Sequence, residues 1–167
     1  HLSALGINEA TDSDYAKSKL EGEEKILKNF PLATIIRPSI VYSVDDNFTT
    51  NFMTLLNRLP IFPLYYEGKT KFAPIHCSDL TDVIFNVISN NVNSKIIECV
   101  GPEIFSFKEI LEKLLNLIGK KRLLIPMPLP LAELSARFFE IMPNPILTRD
   151  QLKLLKYDNV LSGKYKS

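Results

Sequence analysis

Apolar residues recur along the chain in two alternating rhythms, a helical one of three and four residues and short unbroken runs of the kind that make buried strands. Asp12 to Lys28 predicts a helix, with Asp12 or Ser13 as its cap and the pairs Glu21/Lys25 and Glu24/Lys28 on its wet side. Tyr15, Lys19, Gly22 and Ile26 fall on one face of it. His1 to Leu5, just ahead, reads as the tail of a strand. Ala33 to Ile36 is a short apolar run bounded by Pro31 and Pro38 and continued by Ile40 to Tyr42, which predicts a buried parallel strand. Phe48, Phe52, Leu55 and Leu59 keep helical spacing until Pro60 stops it. Lys71 to Ile75 predicts extended chain leading into a helix capped by Ser78, whose Leu80, Val83, Ile84, Val87 and Ile88 form a stripe that must face a sheet or core.

The second half continues the alternation. Ile96 to Val100 predicts a strand ended by Gly101-Pro102, and Ser106 with Glu109 spells a capping box for a helix from Phe107 to Ile118, stopped by Gly119. Leu123 to Ile125 reads as extended and Leu131 to Ile141 as helical. Thr148 with Gln151 gives a second capping box ahead of Leu152, Leu154 and Leu155, and the polar residues from Ser162 onward are expected to fray. Such alternation predicts an α/β layer architecture in one domain. About four or five strands are expected, fewer than the six of a complete doubly wound sheet.

Composition narrows the function classes. The 167 residues carry 20 Lys plus Arg against 19 Asp plus Glu, a formal charge of +1, so no electrostatic footprint points to nucleic acid. Cys77 and Cys99 make no disulfide framework, and with His1 and His76 they make no metal-binding spacing; no metal is expected, and a cytoplasmic compartment is. The greasiest stretch, Leu123 to Met142, is broken by Pro126, Pro128, Pro130, Glu133, Arg137 and Glu140, which excludes a spanning helix there. The apolar, proline-rich Ile125 to Leu131 offers itself as a docking face for a partner or a membrane surface, with packing inside the fold as the preferred reading. His1 opens the chain in place of Met, with no basic segment followed by an apolar one, so no signal peptide is expected and the chain reads as starting within something larger.

The sharpest chemical feature is Tyr15-Ala-Lys-Ser-Lys19, in which a tyrosine stands one helical turn before a lysine. An ammonium beside the phenol hydroxyl would lower its pKa from about 10 toward the working range of a general acid/base. Ser3, at the end of the preceding strand, is placed to hydrogen-bond the substrate oxygen that the tyrosine protonates. Exposed Tyr/Lys pairs are common on helices, and it is the order of segments around this one that sets it apart. His76 with Asp79 reads as structural, the aspartate complementing a helix dipole. A hydrolase triad of Ser39, His76 and Asp79 lacks the G-x-S-x-G elbow. Lys120-Lys-Arg122 reads as a solvated helix end.

His1-Leu-Ser-Ala-Leu-Gly6, Tyr15 to Lys19, Ile35-Ile-Arg-Pro-Ser-Ile-Val-Tyr42, Phe72-Ala-Pro-Ile-His76, Ser78-Asp79, Gly101-Pro-Glu103, Phe105-Ser-Phe107 and Leu147-Thr-Arg-Asp-Gln151 occur in an order that resembles the second half of an extended short-chain dehydrogenase/reductase. The resemblance is to the atypical branch, in the NAD-dependent epimerase/dehydratase superfamily, that is similar to the nucleotide-binding accessory subunit of complex I and its bacterial relatives. It implies the C-terminal part of a Rossmann-type doubly wound parallel sheet, residues 1–101, with a small, mostly helical substrate-side region at 102–161. It also implies that Tyr15 is the catalytic acid/base, that Lys19 lowers its pKa and binds the nicotinamide ribose, and that Ser3 is the active-site serine. Pro38, Ser39 and Ile40 match the loop whose backbone lies along the nicotinamide carboxamide, and Ser43 stands where the pattern usually has glycine.

The cofactor implied is NAD or NADP, yet the six glycines, Gly6, Gly22, Gly68, Gly101, Gly119 and Gly163, never come close enough for G-x-G-x-x-G. Without that cradle for a pyrophosphate, the chain alone is expected to bind NAD(P) weakly and to be inactive. The missing N-terminal half is then its first partner. Its absence is expected to leave apolar faces around Tyr15 and unpaired edges on Ile35 and Ile36. Further partners implied are a small-molecule or nucleotide-sugar substrate and, in the alternative reading of a non-catalytic nucleotide-binding accessory or assembly protein, complex I or quinone metabolism at the membrane periphery.

Overall fold

A computed structural model of the chain describes residues 1–92, 96–139 and 148–167. Helix α1, Asp14–Asn29, starts at Ser13, whose Oγ accepts the Ala16 amide, so the second of the two sequence-expected caps is the one used. Strand β1, Ile35–Pro38, follows, then β2, Val41–Tyr42, and α2, Asn47–Arg58, which Asp46 caps through the Thr49 amide. Next come β3, Ile61–Leu64, a tight turn over Tyr65–Gly68, β4, Lys71–Phe72, β5, Ile75–His76, and α3, Cys77–Ser89. The chain goes on through β6, Ile96–Cys99, β7, Phe105–Ser106, α4, Phe107–Leu117, and β8, Leu123–Pro126, to α5, Leu129–Phe139, and α6, Arg149–Leu154. The end of the expected helix Leu131 to Ile141, and Leu147, lie outside the described residues.

The central layer is parallel. β1 pairs with β6 in the register Ile35↔Ile96 to Pro38↔Cys99, while on its other side the Ser3 and Leu5 amides donate to the Ile36 and Pro38 carbonyls and the Ile36 amide to that of His1. β1 is therefore interior, paired on both sides and buried at Ile35 and Ile36, against the expectation of an open edge there. Strand alternation sends Ile36 to one face, where Leu80, Val83, Ile84 and Val87 of α3 cover it, and Ile35 with Arg37 to the other. There Glu23 of α1 takes the Arg37 guanidinium through Nε at 2.8 Å and Nη2 at 2.6 Å, with both side chains buried. This ion pair anchors α1 to the sheet.

A second core lies beside the sheet, where Leu56 of α2, Phe62 and Leu64 of β3, Phe72 of β4 and the α4 residues Phe107, Ile110, Leu111, Leu114 and Leu115 meet. The apolar face of α4 is set in phase by its capping box, Ser106 with Glu109, and the helix ends at Gly119, φ +65°. Gly101 permits the tightest approach among the glycines, since a Cβ there would stand 1.9 Å from the Pro74 carbonyl oxygen.

Several expectations change. Eight short strands are described in place of about four or five, because the chain pairs in two- and four-residue ladders that apolar runs alone do not reveal. The α3 cap is His76, whose Nδ1 accepts the Ser78 amide, not Ser78 itself. Ile88 falls off the α3 stripe and is 70% exposed, beside Phe85 at 68%. Leu123, Ile125, Leu129 and Leu131 are likewise exposed although β8 pairs with β3, so the proline-rich stretch is only half packed. The tail from Ser162 does not fray. Ser162 donates N–H and Oγ–H to the buried Glu98 carboxylate, the Glu98 amide donates to the Lys166 carbonyl, and Tyr165 stacks on Arg37 at 5.1 Å. Among the described residues no helix is long and apolar enough to cross a membrane.

Candidate functional site

Tyr15 sits in the first turn of α1, where backbone amides lack intrahelical acceptors. All four are satisfied here. Ser13 N–H donates to Ala10, Ala16 N–H to Ser13 Oγ, and the Asp14 and Tyr15 amides to the Asp150 carboxylate at 2.8 and 3.0 Å. Ser13 Oγ–H completes the set with a bond to Asp150 at 3.0 Å. Asp150 stands one residue before Gln151 of the α6 capping box, so two helix starts about 135 residues apart are locked to each other. Burial alone would raise the Asp150 pKa. The Tyr15 and Asp14 amides, the Ser13 hydroxyl and the Lys153 ammonium outweigh that and hold it below the usual aspartate value.

From this anchored turn the Tyr15 ring, 44% exposed, forms part of the wall of a cleft of about 440 Å³. Pro38, Ser39 and Ile40 line the same cleft, whose floor carries Phe48, Phe52 and Phe72. The path of that loop is fixed from several sides: Leu5 N–H donates to Pro38 O, Ser39 N–H to Cys99 O and Ile75 N–H to Ile40 O. Ser39 Oγ–H donates to Asn159 Oδ1 at 2.6 Å, and Asn159 Nδ2 donates to Leu5 O at 2.9 Å, tying the loop to both ends of the chain. Ser43 is outside the left-handed region, and its amide donates to Asp46, so the loop asks for no glycine at that position.

Two of the sequence-predicted residues are placed differently. Lys19 does not line the cleft; its Nζ stands over the Tyr15 ring, 5.6 Å from the centroid, rather than at the hydroxyl. The expected lowering of the Tyr15 pKa is reversed in the chain by itself, where burial pushes the phenol up. Ser3 is buried behind the cleft wall, and among the described residues its Oγ is a buried side-chain polar atom with no hydrogen-bond partner. Such an orphan costs about 1–3 kcal/mol. His76 and Asp79 form no acid/base pair: His76 caps α3, and its ring meets Tyr42 edge-on at 5.2 Å. Among the described residues no group of three or more His, Cys, Asp or Glu is arranged to hold a metal ion.

Sequence reasoning gave Asp150 no role of its own within the Leu147-Thr-Arg-Asp-Gln151 segment and missed Asn159. Neither carries a local signal beyond the Thr148/Gln151 capping box, and both act across more than a hundred residues. For a nicotinamide ring the residues fit, because Tyr15 and the Pro38–Ile40 loop line the same cleft. For a pyrophosphate they do not fit. Gly6 lines the cleft at φ +77°, but it packs against Asp158 O and Asn159 and has no helix N-terminus of its own. A second hollow of about 460 Å³, on the opposite side of α6, is lined by Tyr66, Glu133, Arg137, Arg149 and Lys153 and contains none of the sequence-predicted residues.

Residues 10–126 match the RmlD substrate binding domain. An Arabidopsis thaliana protein named NADH dehydrogenase (ubiquinone) 1 alpha subcomplex subunit 9, mitochondrial, is 27% identical over 172 residues, covering 96% of this chain and 43% of that protein. The chain spans less than half the length of the curated relatives it matches, 33% of one and 43% of the next. In fold it is similar to a dTDP-4-dehydrorhamnose reductase of Clostridium acetobutylicum, with a TM-score of 0.61 and 21% identity over 86% of this chain and 54% of that one. It is also similar to the Bacillus anthracis dTDP-4-dehydrorhamnose reductase in complex with NADP, at 0.59 and 18%, covering 80% of this chain and 44% of that one. Matched over well more than half its length and folded as these reductases are, the chain belongs to the RmlD substrate binding domain family of the short-chain dehydrogenase/reductase and epimerase/dehydratase superfamily.

Proposed function

We propose that this chain carries the substrate side of a nicotinamide-dependent carbonyl reduction, with Tyr15 as proton donor, and that a glycine-rich unit outside these residues holds the phosphates of the cofactor. The observation that carries this reading is that Tyr15 and the Pro38–Ile40 loop line one cleft. When bound, NADH or NADPH supplies a hydride. Tyr15, kept protonated by burial, gives its hydroxyl proton to the carbonyl oxygen of the substrate. Lys19, over the ring, stabilises the phenolate left behind. Ser3, the active-site serine of the resemblance, is buried outside the cleft lining, and its unpartnered Oγ takes a role only if the completed site brings a partner to it. The Pro38–Ile40 backbone, held on several sides, is a rigid rest for the carboxamide. By itself the chain binds NAD(P) weakly and does not turn over. A nucleoside-diphosphate sugar, the class named for the similar dTDP-4-dehydrorhamnose reductases, would in addition need cations for its diphosphate.

The test is NAD(P)H-dependent carbonyl reduction by the full-length protein that carries these residues. Tyr15→Phe should lower turnover by about 10²- to 10⁴-fold while a nucleotide-induced rise in melting temperature persists. Unchanged turnover in Tyr15→Phe refutes the assignment. A second reading is favoured by the name of the Arabidopsis relative: a non-catalytic, nucleotide-binding accessory or assembly protein, associated with complex I or quinone metabolism. Its mark would be tight nucleotide binding with no turnover in either form.

A further inference from the structure

We propose that the cleft beside Tyr15 takes an uncharged aliphatic ketone or aldehyde, a carbonyl on an apolar body, and not a nucleoside-diphosphate sugar. This rests on the Tyr15 reading for what happens at the carbonyl, and on the cleft lining for what is bound.

No lysine, arginine or histidine lines the cleft among the described residues, and its charged lining group is a carboxylate, Asp158, already accepting the Lys71 amide at 2.8 Å. A diphosphate would be desolvated there beside a negative charge, with nothing to compensate it. The nearby ammoniums face ring surfaces: Lys19 lies over Tyr15 and Lys156 over Tyr157 at 5.3 Å, and neither lines the cleft. The cationic side chains Arg137, Arg149 and Lys153 belong to the other hollow, across α6. α6 keeps the two apart, sending Gln151 and Leu154 to the cleft and Leu152 and Lys153 to the hollow.

What the cleft offers is apolar. Phe48 stands between Phe52 and Phe72, with ring centroids 4.9 and 6.4 Å away, and Leu55, Leu154 and Leu155 extend that surface. Ser39 and Asn159, the polar groups at the reacting end, are spent on each other and on Leu5. The groups left to meet a ligand are neutral: the Tyr15 and Tyr157 phenols, the Gln151 carboxamide, whose Oε1 already accepts the Thr148 amide, and, at the rim, the exposed amides of Asn47 and Asn51, one turn apart on α2. A volume of about 440 Å³ lies within the usual range of small-molecule sites. A few neutral polar groups on an apolar surface match a carbonyl on a hydrocarbon chain.

The test is competition on the 167-residue chain between Nile red, a neutral fluorophore, and three ligands: decan-2-one, decanoate and thymidine diphosphate. Decan-2-one should displace the fluorophore at a concentration about tenfold lower than decanoate, and thymidine diphosphate should not displace it. Phe48→Ser should weaken decan-2-one by about tenfold, with circular dichroism confirming the fold. Asn51→Arg, an exposed change that spares the core, should narrow the gap between decan-2-one and decanoate. Displacement by thymidine diphosphate as readily as by the ketone overturns the proposal. So does a ketone that fails to displace Nile red, or one whose displacement ignores both substitutions. Tyr15→Phe should still bind decan-2-one, so a failed assignment of the proton donor and a failed assignment of the ligand give different results.

Discussion

Replacing Asp150 by alanine removes the acceptor for two of the four amides at the start of α1 and for the Ser13 hydroxyl. The side chain of Asp150 is 28% exposed, so water recovers part of the loss. A capping contact of this kind contributes about 1 kcal/mol, and a carboxylate at a helix N-terminus adds about 0.3–1 kcal/mol. The expected cost of Asp150→Ala is therefore about 2 kcal/mol, a fall of roughly 4–8 °C in melting temperature for a domain of this size. Asp150→Asn keeps one acceptor oxygen and loses the charge, for about half that cost. Because the pKa of Asp150 is depressed in the folded chain, its contribution is fully present above the unfolded aspartate value of about 3.9 and fades as pH falls through the folded value. Thermal melts by circular dichroism from pH 7 down to pH 3 read both effects. Wild type and Asp150→Asn should converge on the acid side. A melting temperature unchanged in Asp150→Ala, or a gap to Asp150→Asn that stays constant into acid, would show that α1 starts without this anchor.

Three further perturbations follow from the packing. Glu23→Ala leaves the buried Arg37 guanidinium without its counter-charge and should cost about 3–5 kcal/mol in urea unfolding, whereas replacing both partners by apolar residues of similar volume should recover most of it. Gly101→Ala drives a Cβ against the Pro74 carbonyl, where backbone cannot swing aside, and should cost about 3 kcal/mol; a soluble protein of unchanged melting temperature refutes that close approach. Deleting residues 162–167 strips Glu98 of its Ser162 partners and Arg37 of Tyr165. Hydrogen exchange should accelerate at Ile97 to Cys99, with about 1–3 kcal/mol lost.

Much of the local structure was legible because its signals are local. Ser13, Ser106/Glu109 and Thr148/Gln151 announce helix starts with a few residues each, and all three caps are made. The Tyr15/Lys19 spacing and the Ile35 to Tyr42 segment were visible, as was the lack of a glycine cradle. The direction of the Tyr15 pKa was not, because it depends on whether Lys19 reaches the hydroxyl or lies over the ring, and helical spacing permits both.

Periodicity, caps and prolines thus determine by themselves where most of the helices and the longer strands form, since each depends on neighbours within a turn or two. Tertiary structure alone decided the rest. Asp150 holds the turn that bears Tyr15, Asn159 ties Ser39 to Leu5, and Ser162 and Tyr165 dock a polar tail onto β6 and β1. These contacts join residues far apart in the chain, and their partners become neighbours only when the apolar faces of α1, α2 and α3 are buried, each in its own cluster.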